Sequence, residues 1–164
     1  MATTRDQTDD TPTDALTLLI ADHEEVKDLF DQYDELMENE AGSEERGELA
    51  EQICAALTLH SALEEELVYP AARQALEEQD LLDEAVVEHA SARELIEQIQ
   101  GMDPDDDLYD AKVTVLGEYV KHHVQEEEDE MFPRLEQSGV DLEALGEEIT
   151  ARKESLMAEV GEEE

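Results

Sequence analysis

The sequence predicts an all-α fold: an antiparallel up-down-up-down four-helix bundle with a possible C-terminal accessory helix. Three observations carry this reading. Apolar residues recur at alternating spacings of three and four through four long segments, the period of a helix that buries one stripe. The links between those segments are short, so neighbouring helices run antiparallel. Aromatics are 4% of residues and Trp is absent, which leaves Leu, Ile, Val, Ala and Met to build the core and favours helices over a sandwich or barrel. The 164 residues suffice for one ordinary domain. Residues 1–12 read as a disordered leader, 13–138 as the bundle and 139–164 as an amphipathic tail.

The first helix starts at Thr11-Pro12-Thr13-Asp14, with a capping Thr and Pro at the first position, and runs to about Asn39. Its seam is Leu16, Leu19, His23, Val26, Phe30, Tyr33 and Met37. Ala41-Gly42-Ser43 breaks it. The second helix runs from about Glu44 to Glu78 on Leu49, Ile53, Ala56, His60, Leu63 and Leu67, and Pro70 forces a kink or rearrangement inside it. A link near Gln79-Asp80 leads to the third, about residues 81–100, on Leu82, Val86, His89, Ile96 and Ile99. The fourth begins at Gly101-Met102-Asp103-Pro104 and reaches about Gln137, with Tyr109, Val113, Leu116, Val120, His123 and Glu127 on one stripe. Ser138-Gly139 ends it, and Leu142, Leu145, Ile149, Leu156 and Val160 mark the accessory helix.

The net charge is −39. Nucleic acid and anionic membrane faces both call for a basic surface, so neither is an expected partner. Lysine is confined to Lys27, Lys112, Lys121 and Lys153. A uniformly acidic, lysine-poor surface resembles that of proteins working in molar salt, where a Debye length of ~3 Å screens self-repulsion. Cys54 is the single cysteine, which excludes an intramolecular disulfide and a thiolate-cluster metal site. No stretch reaches the ~20 apolar residues of a membrane span, and a soluble, cytoplasmic protein is expected.

Chemistry concentrates in the histidines. Four of the five, His23, His60, His89 and His123, take seam positions in four different helices. In an antiparallel pair, residues equidistant from the turn lie at one height. The His23–His60 midpoint falls between Ala41 and Gly42, the Glu64–His89 midpoint between Leu76 and Glu77, and the His89–His123 midpoint at Asp106. All four histidines therefore share one level of the bundle. Glu64 and Glu127 each lie four residues after a histidine, one turn along the same face.

A longer repeat embeds these pairs. His60-Ser-Ala-Leu-Glu64-Glu65-Glu66-Leu-Val-Tyr69-Pro70 matches His123-Val-Gln-Glu-Glu127-Glu128-Asp129-Glu-Met-Phe132-Pro133. Each helical hairpin thus gives one His from its first helix and His-x-x-x-Glu from its second. Two buried carboxylates among neutral imidazoles would be costly unless cations bridge them. Imidazole and carboxylate without thiolate suit iron, manganese or zinc. A ferritin-like site needs Glu three residues before a His, and no His here has one.

At these residues the chain resembles the hemerythrin family, in its HHE cation-binding branch, over about residues 14–137. The resemblance rests on His23-Glu24-Glu25, the two His-x-x-x-Glu-Glu units and the aromatic-Pro after each. It implies that His23 and His60 bind one iron, that His89 and His123 bind the other, and that Glu64 and Glu127 bridge them, with an oxo or hydroxo group between. Oxygen-carrying members have a further His four residues after the position of His89, where this chain has Arg93. They also have an Asp five residues after the last His, where this chain has Glu127 at four. The ion near His89 is thus expected to be a ligand short, with the Arg93 side chain either directed toward it or neutralising local acids. His122 and Glu126, one step round the helix, are alternative ligands or a solvated flank.

Three functional classes follow. The leading one is a non-haem di-iron protein for oxygen or nitric oxide binding, redox sensing or iron handling. The second is an enzyme that reduces peroxide or oxygen. The third is a metal-free acidic interaction bundle.

Overall fold

The computed structural model describes residues 14–163, with side chains to residue 159. The expected leader, the Thr11-Pro12 helix start and the Val160 side chain lie outside the described residues. Helix α1 spans Ala15–Glu38, and the Asp14 carboxylate accepts the Thr17 N–H at 2.9 Å to cap it. Its buried stripe is Leu16, Leu19, His23, Val26 and Tyr33, with Phe30 and Met37 partly covered. Glu40, at φ 57°, turns the chain into α2, Ser43–Leu63.

The second rod is not one regular helix. After α2 comes a π-helical turn, Glu64–Val68, and then α3, Tyr69–Ala75. Pro70 is the reason. It has no N–H to give, and its ring would crowd the carbonyl of Glu66 four residues back. The wider turn relieves this: the Tyr69 N–H reaches the Glu64 carbonyl five residues back, and Pro70 falls in the first turn of α3, where no N–H is needed. The fourth rod repeats the device. Helix α5, Tyr109–Glu126, is followed by a π-helical turn, Glu127–Met131, and α6, Phe132–Ser138, with Pro133 in its first turn.

Two expected boundaries and one seam position move. The link between the second and third rods is residues 76–78, because the Gln79 side-chain amide donates to the carbonyls of Arg73 and Leu76, and α4 spans Gln79–Gln100. Helix α5 starts at Tyr109 rather than near Pro104. The Asp-rich segment before it is a turn, in which Asp103 accepts the N–H of Asp105 through its side chain and that of Asp106 through its carbonyl. Val86 is off the seam and 47% exposed, while Ala85 enters the core. Both satisfy the spacing between Leu82 and His89, so periodicity alone does not choose between them. Gly139, at φ 89°, stops α6 in a left-handed cap. Helix α7, Leu142–Glu163, lies against α1 and α2 through buried Leu145 and Ile149 and half-buried Leu156.

The regular elements among the described residues are all helices: four antiparallel rods plus α7. Their apolar core falls into two clusters. One holds Leu19, Leu63, Leu82, Leu135 and the α7 contacts; the other holds Val26, Ile53, Ile96, Val113 and Leu116. Buried His23, His60, Glu64, His89 and Glu127 are a polar layer in an otherwise apolar interior.

Candidate metal centre

The π-helical turns build this layer. Glu64 and Glu127 open the two turns and are fully buried, at 0% and 2% exposure. The structure brings together all six residues singled out by the sequence, as two groups that share both carboxylates. His23 and His60 gather with Glu64 and Glu127, and so do His89 and His123, with donor atoms within 4.8 Å of one another in each group. Glu64 turns Oε2 to His60 at 3.1 Å and Oε1 to His89 at 3.0 Å. Glu127 turns Oε1 to His23 at 3.3 Å and Oε2 to His123 at 3.0 Å. Each carboxylate thus spans the two groups.

The outer nitrogens are equally organised. The Nδ1–H of His23 donates to Glu128 at 2.7 Å, that of His60 to Asp22 at 3.2 Å, that of His89 to Glu65 at 2.8 Å and that of His123 to Glu88 at 2.6 Å. All four Nε2 atoms are thereby aimed inward, the arrangement that orients imidazole for a metal and strengthens it as a donor. These outer acids repeat with the hairpins. Asp22 and Glu88 each precede a first-helix His, and Glu65 and Glu128 are each the second acid of a His-x-x-x-Glu-Glu unit. That regularity is the signal by which the sequence could have revealed them.

Electrostatics bind the layer together. Burial works against a charged His60, but the Glu64 charge and the bond to Asp22 outweigh it and raise the imidazole to about 10. Burial likewise opposes His123, and its bonds to Glu127 and Glu64 raise it to about 11. His23 is also raised, burial being overcome chiefly by Glu127. Burial would lift the Glu64 carboxyl, yet the histidines around it, His60 foremost, hold it well below the usual range. Without metal, protons on imidazole supply the positive charge that these carboxylates need. Divalent ions would take the place of those protons.

Do the residues fit metal ions? His23 Nε2, His60 Nε2, Glu64 Oε2 and Glu127 Oε1 are buried with no hydrogen-bond partner, although two nitrogens lie 3.1 and 3.3 Å from carboxylate oxygens. Buried polar atoms are almost always satisfied. Four orphans converging in one place, all of them metal-donor types, fit a cation.

The second group contains a residue that the sequence reading missed. The Tyr69 hydroxyl donates to Glu127 Oε2 at 2.5 Å and lies 3.0 Å from Glu64 Oε1, 3.1 Å from His89 Nε2 and 3.2 Å from His123 Nε2. Burial and the two carboxylates push its ionisation far up, so the phenol keeps its proton in the metal-free chain. On a regular helix a residue five beyond Glu64 would be about 140° away; the π-helical turn brings Tyr69 to the same side. The sequence signal was the Pro after it, deep in a helix. Its counterpart Phe132 stacks on His23, with ring centroids 6.0 Å apart.

Arg93 neutralises a local acid rather than pointing at the ions. Its side chain is 52% exposed and donates to Glu65 at 2.6 Å, the carboxylate that holds His89. A side chain one turn beyond His89 can reach across to the neighbouring rod, and an acid there attracts it. His122 and Glu126 also stay outside the buried layer, 3.1 Å apart, with the His122 side chain 66% exposed and Glu88 at 3.8 Å. A cavity of about 40 Å³ adjoins the layer, lined by the four histidines and apolar residues including Leu57, Ile96 and Val120.

A helical bundle with a shared histidine–carboxylate layer defines a class of cation-binding bundle proteins. The chain belongs to the Hemerythrin HHE cation binding domain family, which it matches over residues 14–135. It is similar in structure to a Hemerythrin HHE cation binding domain-containing protein from Mycobacterium kansasii, with a TM-score of 0.71 and 26% identity, covering 87% of this chain and 86% of that one. It is 29% identical over 142 residues to a DNA nickase of Nostoc sp.; the match covers 85% of this chain but only 39% of that relative. The family is one of metal-binding domains. No described helix is long and apolar enough to cross a membrane.

Proposed function

We propose that this chain is a non-haem di-iron protein that binds a small oxidant or diatomic ligand, oxygen, nitric oxide or peroxide. The single observation that carries the reading is the sharing of Glu64 and Glu127 between two histidine pairs, with orphaned donors at its centre. His23 and His60 would hold one ion, His89 and His123 the other, with Glu64 and Glu127 bridging. The Tyr69 hydroxyl lies at the second pocket, which the resemblance left a ligand short. Oxygen and nitrogen donors without thiolate suit iron, with manganese and zinc as the competing ions. Bound iron would supply one-electron chemistry and open coordination positions.

The chain's own residues supply the rest. The four outer carboxylates fix the imidazoles, the apolar clusters on either side restrict water, and the 40 Å³ cavity gives a small ligand a place beside the histidines. Tyr69 keeps a proton at its hydroxyl beside both bridging carboxylates, which favours turnover of peroxide as the second reading. The nickase activity is that of the Nostoc relative, of which this chain spans 39%, and a charge of −39 repels phosphate backbones. A cytoplasm rich in salt is the setting that such a charge suits.

Stopped-flow absorption of the reduced, iron-loaded protein mixed with oxygen tests the proposal. Rapid oxidation, with near-ultraviolet absorption from a bridged diferric centre, is the expected result. A spectrum unchanged by oxygen, nitric oxide and peroxide alike would overturn it.

A further inference from the structure

The two hairpins repeat closely, but their pockets differ: Tyr69 enters the second, where its counterpart Phe132 only stacks on His23 in the first, and the outer acids differ too. Asp22 corresponds to Glu88, and each holds the second histidine of its own hairpin. Their outer oxygens differ. Lys153 Nζ donates to Asp22 Oδ1 at 3.2 Å, while Asp22 Oδ2 takes the His60 Nδ1–H at 3.2 Å. The second Glu88 oxygen lies 3.8 Å from the exposed His122 ring, with the Glu126 carboxylate beside it.

Lys153 is one of four lysines in a chain with 49 acids, and it comes from α7, beyond the family match at residue 135. Asp22 divides its two oxygens between a lysine and a histidine. Glu65 uses a single oxygen for both Arg93 and His89. The Asp22 side chain is 15% exposed and that of Lys153 36%, so the pair is only partly screened by water. Leu145 and Ile149 anchor the helix that presents Lys153.

We propose that Lys153 is a positioning residue of the metal centre: it pins Asp22, Asp22 holds His60, and α7 thereby tightens the His23–His60 pocket. This rests on the dinuclear reading above. Without the ammonium, Asp22 is free to rotate and His60 loses its fixed orientation. Removing an outer partner of a metal-bound histidine costs about 10–100-fold in affinity, and a residue one step further out should cost about fivefold. Arg152, the neighbour on α7, pairs with Glu66 and Glu159 and touches none of the outer acids. It reports any general loosening of the helix.

The test is release of Zn²⁺ from the fully loaded protein to excess chelator, in molar potassium chloride. The unmodified protein should release two ions in two phases. Lys153→Met should speed one phase about fivefold and leave the other, Lys153→Arg should restore it, and Arg152→Met should change neither. Equal behaviour of Lys153→Met and Arg152→Met, or a Lys153→Met that alters both phases or none, overturns the proposal while the dinuclear reading stands. Fewer than two ions on the unmodified protein overturns both.

Discussion

Glu65 lies one residue beyond Glu64, and by helical spacing it should face solvent and be dispensable. The structure makes it the acceptor of the His89 Nδ1–H and of Arg93. Glu65→Ala should therefore weaken metal binding by about tenfold, the range found for outer partners of metal-bound histidines. Chelator competition measures this, and an unchanged affinity would show that His89 needs no outer acid. Glu64→Ala should do more, leaving at least one ion unbound and lowering thermal stability, since bound metal stabilises the folded state. Cys54 gives a separate check. Burial, with the nearby Glu51 charge, raises its thiol to about 11, so it should resist disulfide reagents at pH 8 until denaturant is added. The six inner residues were legible because histidine is scarce here and their spacing obeys helix geometry. The outer acids were not, because 49 acids hide any four.

At the scale of elements, four rods and the accessory helix follow from periodicity, but Tyr69 does not. Its placement depends on a turn of different period, and only the prolines at 70 and 133 hint at it. The closing of the third turn was also hidden, since Asp-rich segments cap a helix or form a turn with equal ease. Gly47 locates that closure. A Cβ there would come within 2.6 Å of the Pro104 ring, which cannot swing away. Gly→Ala inside a helix gains about 1 kcal/mol of propensity, while overpacking costs about 1–3 kcal/mol. Gly47→Ala should therefore destabilise by about 1 kcal/mol in urea unfolding. Gly42→Ser, at a helix start with nothing within 4 Å, should be neutral or stabilising. A stabilised Gly47→Ala would mean that the Asp103–Leu108 turn is not packed against α2.

For the whole molecule, charge and metal pull on stability in different ways. A net −39 on one small bundle should lower its melting temperature in dilute buffer and raise it in molar potassium chloride, as screening shortens the reach of repulsion to ~3 Å. A melting temperature that ignores salt would contradict this. The buried layer adds like charges of its own, with Glu64 and Glu127 side by side at the centre of the fold, and the histidines answer them with protons until metal arrives. The central claim is that this layer holds two ions through shared carboxylates. Elemental analysis of the folded protein, loaded anaerobically with Fe²⁺ and freed of excess metal in molar salt, tests it most directly. The account predicts two irons per chain, falling to one or none in Glu127→Ala; a single ion in the unmodified protein, or two that survive that substitution, would contradict it.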